Sequence, residues 1–381
     1  MIVLSHLNSA VLILENFQGE EPFHNHLKKH FAANKKFGGR DRKQIAHYCY
    51  CFFRLGKALT ELSIRDRIMA GLFLVSAEEN PLLEALRPEW NQQVRKSVEE
   101  KYALVNSQST IEDVFPYTKE LSEQINHHDF AASFFRQPDL FVRVRPGYES
   151  LVFKLEKAGG ELVENNCIAF PNTTKIDELL TLNKEAVVQD YSSQRVGEFF
   201  SDIKLLANSK VWDCCAASGG KSILAKDKLN SVDLTVSDIR ESIIANLKKR
   251  FETAGIYKYK NFVHDLALAP ITSKEKYDLI ICDAPCTGSG TWSRTPEQLY
   301  YFKEATIETY ANLQKKIVTN AAKSLNRNGC FLYITCSVFK KENEEMLDFI
   351  KQNIHLNLIK MDVLKGYDKK ADTMFAALFT A

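Results

Sequence analysis

A chain of 381 residues, 45% hydrophobic and 26% charged, has the make-up of an ordinary folded protein long enough for two or three domains, each with its own core, and falls outside the disordered class. The formal net charge of +2 carries no global message, so a polyanionic partner has to be sought in local clusters of charge. Nine scattered cysteines, with Cys214 beside Cys215 and a single residue between Cys49 and Cys51, match neither a disulfide framework nor a Cys-x-x-Cys zinc pattern; reduced thiols and no metal are expected.

At the N-terminus, Leu4 and Val11 to Leu14 are interrupted by His6, Asn8 and Glu15 and lack a basic leader, and no apolar run approaches membrane-spanning length. A cytoplasmic protein without a membrane partner is expected, and nothing demands more than a monomer. Residues 28 to 67 then hold eleven Lys and Arg against three acids. Within them Ile45, Tyr48, Cys49, Phe52 and Phe53 recur near helical spacing, and Asp41 is placed to cap or charge-stabilise the start, which predicts a helix over 40–55 that is apolar on one face and basic at its beginning. Arg40, Arg42 and Lys43 are either a solvated surface or a phosphate-holding patch. Further helical pattern at 66–77 and 82–87 makes residues 1–130 an all-α domain.

Around Pro138 the texture changes. Leu140 to Val144 and Ile168 to Phe170 read as strands, 148–158 as a helix broken by Gly159-Gly160, giving a small α+β connector over 131–195. Arg143 and Arg145, two apart, share one face of a strand, where they either contact a phosphate or line a wet surface. From residue 196 to 381 strands and helices alternate, with strands at 211–212, 234–236, 262–263, 279–282 and 331–334, which predicts a doubly wound, mostly parallel sheet; Met374 to Phe379 is a candidate edge strand.

Two of these strands end in a thiol. Tyr277 to Gly290 is a buried strand running into a turn with Asp283, Pro285 and Cys286, and Gly329 to Ser337 repeats the arrangement with Cys336 at its end. A lone cysteine in such a place is most often a small buried hydrophobe; two of them with an acid at one sheet edge point to covalent chemistry on an electrophilic carbon. After the first strand of the sheet comes Asp213 to Ser222, small residues opening directly into a helix, where backbone can approach a ligand closely. The tail Gly220-Lys221-Ser222 resembles a phosphate-binding loop, but Cys215 stands where that motif needs a glycine. Asp238, Asp265 and Asp283 follow successive strands. Such acids repel a triphosphate and suit a ligand with a ribose, an adenine amine and a positive charge, such as S-adenosylmethionine, although each alone is also a common cap or turn residue.

These residues resemble the Nop/Nol/Sun (RsmB/Fmu-like) family of RNA cytosine-5 methyltransferases along nearly the whole chain. Cys215-Ala216-Ala217-Ser218-Gly219-Gly220-Lys221 is similar to that family's CAAPGGK loop with Ser218 in place of proline, Asp283 to Gly288 resembles its DAPCSG segment, and Thr335-Cys336-Ser337 followed by Glu342-Asn343-Glu344 resembles its TCS...EN segment. The resemblance implies a NusB-like helical RNA-binding domain, of which Gly39 to Lys43 is a recognisable piece, an RRM-like connector, and a Rossmann-like catalytic domain holding S-adenosylmethionine on residues 215–221 with Asp238, Asp265 and Asp283. Arg143-Val144 sits where the family has Arg-Val-Asn, with Arg145 and Pro146 departing from the pattern, and Asp372 to Phe375 lacks the glycine of an Asp-Gly-Phe-Phe strand. It further implies Cys336 as nucleophile, Cys286 in product release, Asp283 as stabiliser of the adduct, and RNA, ribosomal in preference to transfer RNA, as partner. Two other functions stay open: a nucleotide hydrolase using the Gly-Lys-Ser tail, and an RNA-binding assembly factor with a weak or silent site.

Overall fold

The computed structural model describes residues 2–229 and 231–381, which fall into two compact units. The first takes the chain up to Lys119 together with Asn126–Gln137 and Thr291–Lys303. It is helical. Helices Ile2–Glu15, Phe23–Ala33, Gly39–Arg54 and Ile64–Val75 converge on a core of Leu7, Ile13, Phe23, Ile45, Phe53, Ile68 and Phe73. Asp41 performs its expected capping role, its carboxylate accepting the Gly38 N–H at 2.9 Å, and Ser63 caps the next long helix through the Asp66 N–H at 3.1 Å. The opening helix is not evident in the sequence, since the polar residues that spoil a signal peptide are also compatible with an amphipathic surface helix. Segment 291–303, which follows the Cys286 turn, is tied into this unit by Glu297 accepting the Phe23 N–H at 3.2 Å and by the Tyr301 hydroxyl donating to the Phe17 carbonyl at 2.7 Å.

The second unit takes the remaining residues and holds two sheets. The smaller has strands β1 (Leu140–Val144), β2 (Glu161–Glu164), β3 (Cys167–Phe170) and β4 (Ala186–Val188) in the order β2-β3-β1-β4, all antiparallel. Of these, β1 and β3 are the strands expected from sequence. β2 is not, because its residues are mostly exposed and carry little apolar signal.

The larger sheet comprises β5 (Lys210–Asp213), β6 (Asp233–Asp238), β7 (Tyr259–Val263), β8 (Tyr277–Asp283), β9 (Leu325–Thr335), β10 (Asn357–Leu364) and β11 (Met374–Thr380), ordered β10-β11-β9-β8-β5-β6-β7. β9, β8, β5, β6 and β7 run parallel, and β11 is antiparallel to both its neighbours. The expected doubly wound sheet is present, with one correction: β11 is an interior strand, and the edge belongs to β10, whose alternating polar and apolar residues read weakly in sequence. From β5 the chain travels outward through β6 and β7, then returns to place β8 on the other side of β5. Strand order therefore reverses between β5 and β8, and the crevice at their carboxyl ends is where such a sheet accepts a ligand. No helix among the described residues is long and apolar enough to cross a membrane.

Candidate active site

The turn after β5 is shaped by conformation before chemistry. Ala217 and Gly219 both take left-handed backbone, with φ of 45° and 85°. A β-carbon on Gly219 would lie 2.6 Å from the Phe251 ring, so that glycine is required twice over. The helix Gly220–Lys228 begins at once, and Ser222 on its first turn donates to Asp213 at 2.5 Å. Asp213 is fully buried, one of its carboxylate oxygens has no partner, and burial pushes its carboxyl up to about 7. Ser218, in the place of the family's proline, is held through its hydroxyl and carbonyl by Arg250 at 3.1 and 3.2 Å.

Asp238 ends β6 beside this turn. Its carboxylate accepts the Ala217 N–H at 3.0 Å and the Arg240 N–H and Nε at 3.0 Å each, and it is nearly buried while Arg240 is largely exposed. Asp265, beyond β7, caps a turn through the Ala267 N–H at 2.8 Å and is half-buried. Lys221 is buried; its ammonium takes Asp283 at 3.2 Å and Ser193 at 2.7 Å. That removes it from the phosphate-reaching role a nucleotide-hydrolysing loop assigns to its lysine, and it ties the turn after β5 to the acid at the end of β8.

Three residues past Asp283 stands Cys286, and its sulfur lies 3.3 Å from that of Cys336, at the end of neighbouring β9. Both thiols are only partly buried. The Cys286 thiol is pushed up first by its hydrogen bond with the Cys336 sulfur and then by burial, and either sulfur can be the donor between them. Beneath the pair lies a polar cluster that sequence reasoning does not reveal. Glu342, fully buried, accepts the Thr287 N–H at 2.9 Å, the Thr287 hydroxyl at 2.6 Å, the Gln314 amide at 2.9 Å and the Ser337 hydroxyl. Thr287 follows Cys286 and Ser337 follows Cys336, so one carboxylate fastens both cysteine segments. In the sequence Glu342 stands out only as part of a motif, because nothing there shows a carboxylate turned inward. Gly290 closes the same corner: its N–H donates to the Cys336 carbonyl at 2.9 Å, and a β-carbon there would meet the Thr373 carbonyl at 1.9 Å.

The arginines at the end of β1 lie elsewhere. Arg143 is buried and gives its guanidinium to Asp227 at 2.7 Å and Gln189 at 2.8 Å, while Arg145 takes the same Asp227 at 2.8 Å and the Asn183 and Ala254 carbonyls at 2.8 and 2.7 Å. Sharing a strand face brings both to one anion, the internal carboxylate of Asp227. In the helical unit, Arg40 and Lys43 are exposed, whereas Arg42 partly folds back, donating to the Phe37 carbonyl at 2.9 Å. Arg54 and Arg67, counted in the basic excess, are buried and donate to backbone carbonyls inside the fold.

A reversed-order parallel sheet with a glycine turn after its first strand and an antiparallel β11 defines a Rossmann-like α/β domain of the kind found in methyltransferases. The family described as 16S rRNA methyltransferase RsmB/F matches residues 201–376, a little under half of the chain, and that stretch is what the chain shares with it. The chain is 27% identical over 240 residues to the ribosomal RNA small subunit methyltransferase B of Xylella fastidiosa strain 9a5c, a match covering 60% of this chain and 54% of that one. The chain thus spans about half the length of that relative. Among solved structures, PH0851 covers 98% of this chain and 97% of its own with a TM-score of 0.69 at 20% identity. NSun6 from Pyrococcus horikoshii with SFG covers 71% and 96% with a TM-score of 0.57 at 16% identity. At such identities these structures speak for the fold.

Proposed function

We propose that the protein is an S-adenosylmethionine-dependent RNA cytosine-5 methyltransferase acting on ribosomal RNA through a covalent adduct between Cys336 and carbon 6 of the target base. The observation that carries this reading is the approach of the Cys286 and Cys336 sulfurs to 3.3 Å at the ends of adjacent parallel strands, with Asp283 on the same turn.

The residues around the turn after β5 fit the cofactor. Asp238, pinned by two backbone N–H groups, presents a carboxylate at the end of β6 suited to ribose hydroxyls, and the left-handed Ala217 and Gly219 bring bare backbone to the crevice. Asp265 adds negative charge suited to a sulfonium, while Asp283 and Lys221 neutralise each other as an ion pair. A family of S-adenosylmethionine-dependent enzymes, and a neighbour of the same fold crystallised with an analogue of that cofactor, support the assignment. When bound, the cofactor supplies an electrophilic methyl group.

Carbon 5 of cytosine is too weak a nucleophile to accept a methyl group unaided. Addition of the Cys336 thiolate at carbon 6 makes carbon 5 enamine-like, and Asp283, near ring nitrogen 3 and the exocyclic amine, stabilises that adduct. After methylation the carbon-5 proton leaves to Cys286 or to water, and Cys336 is expelled as the double bond re-forms. A paired target base has to leave its helix first. Every residue invoked comes from one chain, and the reduced thiols suit the cytoplasm. The test is incubation of the protein with methyl-labelled S-adenosylmethionine and unmodified small-subunit ribosomal RNA, with bisulfite sequencing of the product. Label fixed as 5-methylcytosine is the expected result; RNA that binds yet stays unlabelled favours the assembly-factor reading and sinks this one.

A further inference from the structure

Three thiols outside the Cys286–Cys336 pair meet at the head of the crevice. Asp213 of β5 pairs in register with Ile281 of β8, and the Cys214 N–H donates to the Ile281 carbonyl at 2.9 Å, so the next residues, Cys214 and Cys282, lie side by side. Cys215 follows directly, and the sulfurs of Cys214, Cys215 and Cys282 all lie within 4.8 Å of one another. Only Cys215 belongs to the loop that resembles the CAAPGGK motif. Linear spacing gives no hint of such a site, because the third thiol arrives from a different strand.

We propose that Cys214, Cys215 and Cys282 form a three-sulfur site for a thiophilic d10 cation, Cu(I) or Zn(II). Three thiolates around one such ion at metal–sulfur distances of about 2.3 Å sit about 3.8 to 4.0 Å apart, so the observed triangle needs only a small contraction. The ligand set is all sulfur, which selects soft ions over magnesium, calcium or manganese. Cys282 and Cys214 are buried and form a dry floor, while Cys215 is partly exposed and leaves an entry path. Binding exchanges the thiol protons for the ion, with no redox change. The site does not rest on the methylation reading.

The test uses the full chain with Cys286→Ser and Cys336→Ser introduced, so that the other close thiol pair cannot compete. Zn(II) is titrated against a chromophoric chelator, and Cu(I) is titrated anaerobically in the same way. One equivalent of either ion per chain should be retained, with affinity falling at least tenfold in Cys282→Ser and in Cys214→Ser while Cys49→Ser retains it. Should Cys282→Ser fail to fold by circular dichroism, Cys215→Ser and the Co(II)-substituted protein supply the measurement, since three thiolates give an intense sulfur-to-metal charge-transfer band that weakens as each is removed. Failure to retain either ion, or retention unchanged in Cys214→Ser and Cys215→Ser, overturns the proposal.

Discussion

The sulfurs of Cys286 and Cys336 stand 3.3 Å apart although fifty residues separate them. Parallel pairing of β8 and β9 produces this, since it brings Asp283 opposite Ile334 and lets both turns leave the sheet on the same side. The proposed scheme divides attack and release between them, with Cys336 as the nucleophile and Cys286 assisting release. Cys336→Ala should therefore abolish methyl transfer, whereas Cys286→Ala should attack the base and fail to let go, leaving a protein–RNA adduct that survives denaturing electrophoresis. An active Cys336→Ala enzyme would remove the nucleophile from the scheme.

Glu342 offers a test that touches neither sulfur. Its carboxylate receives donors from Thr287, Ser337 and Gln314 inside the protein. Glu342→Ala leaves those donors buried and unmatched, at about 1–3 kcal/mol for each one that finds no new partner, and frees the two cysteine segments from each other. Stability in urea should fall by about 3 kcal/mol or more, and turnover should drop while the affinity for S-adenosylmethionine, measured by calorimetry, stays level. Glu342→Gln keeps the shape and one acceptor oxygen, and the Thr287 and Ser337 hydroxyls can turn to accept from its amide. It should fall between wild type and alanine. Equal turnover in all three proteins would make Glu342 mere filling.

What the sequence disclosed followed from how local the signal was. Continuous apolar runs such as Leu279 to Ile281, and the short motifs around Cys215, Cys286 and Cys336, announce the parallel strands and the site because a buried strand and its turn are each written in consecutive residues. The interior position of β11 is hidden, since Met374 to Thr380 looks alike as an edge or an inner strand until β10 pairs with it. Asp227 is invisible as the partner of Arg143 and Arg145 for the same reason: it lies on a helix more than eighty residues away and nothing local marks it as facing inward. Charge counting likewise pools Arg54 and Arg67 with Arg40 and Lys43, although the first two are buried and turned to carbonyls inside the fold.

Asp213 makes stability depend on pH. Its folded carboxyl titrates near 7 against 3.8 when free, chiefly through burial. Between these values the folded chain holds a proton that the unfolded chain has lost, so this residue's contribution to stability declines as pH rises through the window. Each tenfold gain in proton affinity corresponds to about 1.36 kcal/mol, so the full decline is roughly 4 kcal/mol. Urea midpoints measured from pH 4.5 to 7.5 should fall for wild type and flatten for Asp213→Asn. A parallel decline in the variant would assign the effect to other groups.

Asp227 should be far more costly to lose than an ordinary surface acid. It is almost wholly buried between Arg143 and Arg145. Asp227→Ala strands two inward-facing cations, and breaking a buried pair from one side typically costs about 3–5 kcal/mol. Thermal unfolding should shift accordingly, and replacing Arg143 by methionine in the same chain should recover part of the loss, because the uncompensated charge rather than the missing contact is the larger penalty. A surface-like effect below about 1 kcal/mol would contradict the packing seen around this carboxylate.

Arg40 and Lys43 should behave in the opposite manner. Both are exposed at the start of the helix Gly39–Arg54, next to exposed Lys35 and Lys36. If this patch holds RNA phosphates, alanine at 40 and 43 should leave thermal stability unchanged and weaken RNA binding most at low salt. Each lost contact should flatten the dependence of log affinity on log salt by about 0.7 to 0.9. Filter binding at several potassium concentrations, with Arg143→Ala as the comparison, separates the cases: Arg143→Ala should lower stability with no change in salt slope. A slope unaltered by Arg40→Ala and Lys43→Ala together would return the cluster to the status of a solvated surface and move the search for the RNA contact to another face.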